Sequence, residues 1–347
     1  MPEREQLSAG TLIVGAGQAG LQLAVSLRQF GDTEPIVLVG DEPHPPYQRP
    51  PLSKEFLAGR VDRAALALRG PEFYRDQDIT LVTGAAVEDL ALDEPGRSGA
   101  GSARLAGGGT VRFRRLALAT GAAARRLDRL PGAGLDGVCY LRGQDEAAEL
   151  RSRLSGARRI AVVGGGFIGL EAAAIARAAG CEAVVLEAAD RLLGRAVGPR
   201  LSAFFLAAHR RRGTEVRLSA PVAGFTEGEG GDGRVTGVRL ADGTAVPADL
   251  VLIGAGALPR TELAERLGLE CRGGILVDES SRTSNPGVVA AGDCTVRRAA
   301  GGEGAGIRLE SVQNAVAQAQ AAAAALLGRA PGPPRSRPPG SGPSRAT

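Results

Sequence analysis

The sequence predicts an α/β fold in which one architecture is used twice. Three observations carry that expectation. The apolar run Thr11-Leu12-Ile13-Val14 enters Gly15-Ala16-Gly17-Gln18-Ala19-Gly20, and Ile160-Ala161-Val162-Val163 enters Gly164-Gly165-Gly166-Phe167-Ile168-Gly169. Each loop is followed by a helix-forming stretch, a second apolar strand and an acidic residue. Each half then carries a hairpin signal and a further apolar strand. Self-similarity on this scale points to a duplicated unit.

In the first half, Leu21 to Phe30 reads as a helix and Ile36 to Val39 as a strand, ending at Asp41 and Glu42. A hairpin from Ala103 to Phe113 turns at Gly107-Gly108-Gly109 and leads to Leu116-Ala117-Leu118-Ala119-Thr120-Gly121. In the second half, Leu170 to Ala179 is the helix, and Ala183 to Leu186 is the strand that ends at Glu187. Its hairpin, Val235 to Val246, turns at Asp242-Gly243 and leads to Leu250-Val251-Leu252-Ile253-Gly254. Glycine-rich and Asp-Gly turns between β-formers are hairpin signals. Beyond Gly254 no third unit begins. Gly274 to Asp278 and Val288 to Ala291 read as strands, and Gly292-Asp293-Cys294 as a turn. An alanine-rich helix runs from about Ser311 to Leu327, with Gly328 as its stop. The stretch Pro331 to Thr347 is mostly Pro, Arg, Ser and Gly, with little to bury, and reads as a disordered tail.

Strand, G-x-G-x-x-G and helix in succession give each loop a physical task. The first glycine makes the tight turn, the second lets backbone approach a pyrophosphate, and the third lets helix and strand pack closely. The anion then sits on the helix N-terminus. An acid about 20 residues on accepts the adenine-side ribose hydroxyls, a place filled by Asp41 or Glu42 and by Glu187. Two Rossmann-like dinucleotide-binding domains are therefore expected, an arrangement suited to passing electrons between two dinucleotides. Glu187 would repel a 2′-phosphate and so favours NADH over NADPH; Arg191 and Arg195 nearby act in the opposite sense.

Composition sets outer bounds. A chain of 347 residues can build two or three domains with real cores. A net charge of +4 is too even for a nucleic-acid binder by bulk charge. Cys139, Cys181, Cys271 and Cys294 form no C-x-x-C or C-x4-C pair, which argues against a redox dithiol or a zinc site, and no metal is expected. His44 and His209 have no partner pattern for a triad, and His44 is expected to be solvated. Met1 to Gly10 is polar and no apolar run is long enough to span a bilayer, so a cytoplasmic location is expected. Of the 42 Lys and Arg residues only Lys54 is a lysine. A lysine kept against such a bias points to a task that a planar guanidinium cannot perform.

The stretch Pro45-Pro46-Tyr47-Gln48-Arg49-Pro50-Pro51-Leu52-Ser53-Lys54 narrows the reading. With Ala119-Thr120-Gly121, Gly164 to Glu171, Ala291-Gly292-Asp293 and Leu309 to Ala315, it resembles one family from Thr11 to about Arg329. This is the FAD-dependent NADH:ferredoxin reductases of oxygenase systems, the putidaredoxin reductase-like flavoproteins. Glutathione-reductase-like relatives would carry a cysteine pair where this chain has Pro-Pro-Leu-Ser-Lys.

The resemblance implies two Rossmann-like domains in a three-layer, glutathione-reductase-like fold. Residues 1–121 and 255–330 would form the FAD-binding domain, 122–254 the NAD-binding domain, and 331–347 a tail. Family members continue after the alanine-rich helix into a third, partly β domain; here that C-terminal domain is expected to be absent. The implied FAD set is Gly15, Gly17 and Gly20 on the pyrophosphate, with Asp41, Glu42, Thr120 and Gly121. Arg49 and Lys54 would line the flavin, Asp293 the ribityl–phosphate region, and Glu310 and Val312 the pyrimidine edge. Gly164, Gly166, Gly169, Glu187, Arg195 and Gly256 would hold NADH. Glu171 would face Lys54 near the flavin N5, which makes this pair catalytic. The implied activity is hydride transfer from NADH to FAD, then single electrons to a ferredoxin-type iron–sulfur protein that serves a cytochrome P450 or dioxygenase. Two alternatives stay open: an NADH-dependent flavin reductase with another acceptor (rubredoxin, a quinone or ascorbate radical), and a non-catalytic nucleotide-binding remnant.

Overall fold

The computed structural model describes residues 6–228, 230–298 and 306–329; the expected tail at 331–347 lies outside them. The described residues form two compact units. The first comprises those up to Pro46, Arg69–Gly121 and those from Pro259 on; the second comprises Tyr47–Leu68 and Ala122–Leu258. The segment that carries Arg49 and Lys54 therefore packs with the second unit.

In the first unit a parallel sheet runs in the order Ile79–Val82, Ile36–Val39, Gln6–Val14, Thr110–Leu118, Val288–Ala290. The long strand Thr110–Leu118 is shared. Its first half pairs antiparallel with Gly101–Leu105, which pairs with Val87–Leu92, and its last three residues pair with Val288–Ala290. Leu12, Ile13, Leu38, Leu116 and Val289 are fully buried. Continuous apolar burial is the signature of a parallel sheet covered on both faces. The helix Gln18–Gln29 packs against Val312–Leu326. Ala315, Ala319, Ala322 and Ala323 give the latter a buried stripe of small side chains at helical spacing, which suits close helix packing. Gly328, with φ +66°, follows its end.

The second unit repeats the plan. Its sheet is wholly parallel, in the order Glu215–Arg217, Glu182–Leu186, Arg159–Val163, Leu250–Ile253, Val138–Tyr140. Helices Gln144–Leu154 and Phe167–Ala178 contribute Leu150, Leu170 and Ala173 to its core. An antiparallel meander, Val222–Glu227, Val235–Leu240 and Ala245–Pro247, stands beside the sheet in sequence as its counterpart does in the first unit.

Two details differ from the sequence reading. Both loop helices begin earlier, at Gln18 and Phe167, because Gly17 and Gly166 are themselves the N-caps. Each hairpin also gains a third strand. Val87–Leu92 carries Glu88 and Asp89 on its exposed positions, which masks the apolar alternation a strand usually shows. No helix among the described residues is long and apolar enough to cross a membrane.

Candidate functional site

In an open parallel sheet the chain reverses its direction of growth at a switch point, and loops at the carboxyl ends of the two central strands leave a crevice there. In the first unit those strands are Gln6–Val14 and Thr110–Leu118. Gly15 occupies the crevice with φ +113°, and a Cβ on it would lie 2.1 Å from the Ala119 carbonyl oxygen. A Cβ on Gly20 would lie 1.9 Å from the Gly15 carbonyl oxygen. These two glycines are thus demanded by the protein's own packing. Gly17 is not. Its backbone is extended (φ −97°, ψ −163°), and a Cβ there would meet no described atom within 4 Å. It caps the helix Gln18–Gln29 without a side-chain hydrogen bond, so the cap itself offers the first-turn N–H groups no side-chain acceptor. An open position over such donors fits an incoming pyrophosphate.

The remaining residues expected around that loop lie in the same unit. Asp41 accepts a hydrogen bond from Arg260 at 2.6 Å. The Thr120 hydroxyl donates to the Arg260 carbonyl (2.7 Å), and Gly121 accepts from the Arg260 N–H (3.0 Å). Thr120 and Gly121 therefore anchor the arginine that meets Asp41. Gly292 and Asp293 follow the strand Val288–Ala290, and the Gly292 N–H donates to Gln318 Oε1 at 2.8 Å. Gln318 also accepts from Thr295 (3.0 Å) and Asn314 (3.2 Å), tying the last helix to the Gly-Asp turn. Glu310 pairs with Arg308 at 2.7 Å. Ser311 is the N-cap of Val312–Leu326, its hydroxyl accepting from the Asn314 N–H, and Val312 is exposed. Sequence reasoning missed Gln318 because a glutamine in an alanine-rich helix carries no signal of its partner.

The second unit shows the same three-glycine logic between Arg159–Val163 and Leu250–Ile253. Gly164 has φ +109°, with a Cβ position 2.5 Å from the Gly254 carbonyl oxygen. The Gly169 Cβ position lies 2.3 Å from the Gly164 carbonyl oxygen. Gly166 is again open, with no described atom within 4 Å, and again caps its helix without a side chain. Glu187 reaches back to this loop: Oε2 accepts from the Gly165 N–H at 2.6 Å and Oε1 from the Ala189 N–H at 2.8 Å. Gly256 (φ +105°) places a Cβ position 3.2 Å from Arg195, so these two expected residues are neighbours. All six expected second-unit residues thus gather at the carboxyl edge of one sheet.

The single lysine sits in a polar cluster of the same unit. Pro50–Ser53 forms a 3-10 turn, with proline in its first positions and Lys54 at its end. Leu52 and Phe56 are buried in the unit's core and fix the segment. Lys54 Nζ lies 2.9 Å from Glu171 Oε1 and 3.0 Å from Oε2, and the Ser53 hydroxyl donates to Oε2 at 2.6 Å. Glu171 stands on the helix Phe167–Ala178, two residues past Gly169. Arg49 stacks over Tyr47 at 5.1 Å and donates to the Arg142 carbonyl at 2.8 Å. Arg49, Leu52, Ser53, Leu141, Arg142 and Ile168 line a small cleft. The Lys54–Glu171 pairing that the resemblance implies is present; the motif assigns Ser53 no role of its own.

The four cysteines are free. Burial pushes the Cys139 and Cys271 thiols up to about 11 and raises Cys181 and Cys294 as well. These are protonated thiols, unsuited to dithiol exchange. His44 is partly exposed and has a partner. Burial, with Arg212 nearby, lowers the pKa of His209. Among the described residues no group of three or more His, Cys, Asp or Glu could hold a metal.

Comparison with known proteins matches residues 10–319 to the family described as pyridine nucleotide-disulphide oxidoreductase. The chain is 44% identical over 317 residues to rhodocoxin reductase from Rhodococcus erythropolis, covering 91% of this chain and 72% of that protein. It is 41% identical over 320 residues to a ferredoxin–NAD(P)(+) reductase of Sphingomonas sp, covering 92% and 75%. Among solved structures, the reductase of a covalent putidaredoxin reductase–putidaredoxin complex superposes with a TM-score of 0.85 at 37% identity. That match covers 93% of this chain and 76% of the other.

Proposed function

The chain belongs to the pyridine nucleotide-disulphide oxidoreductase family, and from that premise we propose that it is an FAD-dependent NADH:ferredoxin oxidoreductase of an oxygenase system. The observation that carries the reading is a pattern that recurs in both units: an open helix-capping glycine, Gly17 or Gly166, between two glycines that packing imposes after a parallel strand. Each is a backbone cradle that the protein itself does not fill, and two cradles call for two dinucleotides. The relatives named above are reductases of small redox proteins, and the buried, protonated cysteines leave no dithiol route for the electrons.

When bound, FAD takes a hydride from NADH and releases electrons singly, which suits an iron–sulfur acceptor. The chain's own residues divide as follows. Gly15, Gly17 and Gly20 hold the FAD pyrophosphate, and Asp41 and Glu42 serve its ribose. Thr120, Gly121, Asp293, Glu310 and Val312 complete the first-unit set. Gly164, Gly166 and Gly169 hold NADH, with Glu187, Arg195 and Gly256. The Glu187 carboxylate, fixed by two N–H donors, opposes a 2′-phosphate. Arg49, Lys54 and Glu171 serve the chemical step: Lys54 supplies a positive charge with N–H donors, and Glu171 fixes its direction. Four free cysteines suit a reducing compartment, and the cytoplasm is inferred as the location.

The test is an anaerobic titration of the FAD-reconstituted protein. NADH should bleach the flavin absorption, and cytochrome c reduction should then depend on an added ferredoxin-type protein. Flavin bands that persist in excess NADH would sink the reading. Faster transfer to rubredoxin would reassign the acceptor, and a strong NADPH preference would overturn the role given to Glu187.

A further inference from the structure

We propose that Ser53 is a positioning residue, whose buried hydroxyl locks the Glu171 carboxylate so that Lys54 is held as a directed, charged donor. The catalytic consequence rests on the reductase reading; the positioning itself does not. The geometry is specific. Ser53 is 5% exposed, sits at the end of the 3-10 turn Pro50–Ser53, and donates to Glu171 Oε2 at 2.6 Å. Lys54 Nζ then spans both carboxylate oxygens at 2.9 and 3.0 Å, and its third donor points to the Pro50 carbonyl at 3.4 Å.

An ion pair of this exposure does not hold itself. The Lys54 and Glu171 side chains are 44% and 28% exposed. At such exposure the attraction is screened, and freezing two long side chains costs rotamer entropy of comparable size. Ser53 has one side-chain torsion, and its backbone is anchored by buried Leu52 and Phe56 on either side. Its hydroxyl therefore restricts Glu171 at little entropic cost, through a hydrogen bond to a charged acceptor, the stronger class. Glu171 in turn directs Lys54. The arrangement is a relay of position: hydroxyl to carboxylate to ammonium.

The single lysine makes the idea measurable without turnover. Lysine labelled with 15N at Nζ places one ammonium label in the whole chain, on Lys54. In the purified full-length protein, wild type and Ser53→Thr should show one slowly exchanging ammonium resonance. Ser53→Ala and Glu171→Gln should lose it to exchange, while circular dichroism shows each variant folded. After FAD loading, flavin reduction by NADH should slow roughly tenfold in Ser53→Ala, with the concentration dependence on NADH unchanged and the rate restored in Ser53→Thr. A Ser53→Ala protein that keeps both the resonance and the rate overturns the proposal. So does a Ser53→Thr protein that is folded yet loses both. If wild type shows the resonance but NADH does not reduce its flavin, the reductase reading fails and the positioning stands.

Discussion

Replacing Gly17 by alanine should separate cofactor binding from folding. The backbone there is already extended (φ −97°, ψ −163°), a conformation alanine adopts without strain, and its Cβ would enter space free of described atoms within 4 Å. Two small effects act on the empty protein. Alanine is a poorer N-cap than glycine by about 1 kcal/mol, while a less flexible unfolded chain returns about 0.4–1 kcal/mol. The net change should be within about 1 kcal/mol. The bound state is different, because the methyl group occupies the approach of the pyrophosphate to first-turn N–H groups. Losing one or two charge-assisted hydrogen bonds, each worth about 1.5–3 kcal/mol, raises the FAD Kd at least roughly tenfold. The assay pairs thermal unfolding of flavin-free protein with a titration of FAD fluorescence quenching. Gly20→Ala is the control: its Cβ would lie 1.9 Å from the Gly15 carbonyl oxygen, so the empty protein itself should lose about 1–3 kcal/mol or more. A Gly17→Ala protein with wild-type FAD affinity, or one as unstable as Gly20→Ala, would refute the argument.

The remaining predictions follow from partners that the structure supplies or withholds. Gln318→Leu leaves the Gly292 N–H without its acceptor beside Asp293, and should cost about 1–3 kcal/mol of stability and lower flavin occupancy together; denaturant unfolding and the flavin-to-protein absorbance ratio report both. With Cys139 and Cys271 pushed up to about 11 from 9.0, their thiolate fraction at pH 8 falls about a hundredfold. Ellman's reagent should therefore react slowly with these thiols in the native protein and quickly after unfolding. The Tyr74 hydroxyl is buried without a hydrogen-bond partner among the described residues, and burial, opposed by Arg69, raises its pKa to about 12. Tyr74→Phe should be neutral or raise Tm by about 1–3 °C; a clear fall in the melting temperature would show that the hydroxyl has a partner.

The fold was legible because its determinants are local. A run such as Ile36-Val37-Leu38-Val39 is buried residue by residue, and the strand has the bounds that its composition suggests. Gly15 and Gly20 were legible for the same reason: the clashes that forbid a side chain arise within the loop or one strand away. What stayed hidden was short or masked. Glu215–Arg217 and Val138–Tyr140 have three residues each, too few to show a period, and exist as strands because Glu182–Leu186 and Leu250–Ile253 offer them edges. Tertiary pairing, not propensity, makes such strands.

The candidate site divides along the same line. Lys54 stood out by composition and Glu171 only by resemblance, and neither signal says what fixes the pair. Ser53 and Glu171 lie 118 positions apart, and a hydrogen bond across that interval leaves no period or spacing in the chain. Gln318 reaches Gly292 across a shorter gap of 26 positions, again with no period to announce it. The glycines make the converse case. Gly15, Gly17 and Gly20 look alike in the motif, yet two are imposed by the fold and one is not. An open glycine between two that the protein's own packing imposes fits a ligand's requirement. The same contrast recurs at Gly166, between Gly164 and Gly169, in a second loop with different neighbours. One open glycine could be an accident of a turn. Two at equivalent places, each between two glycines that packing imposes after a parallel strand, are what two bound pyrophosphates would require.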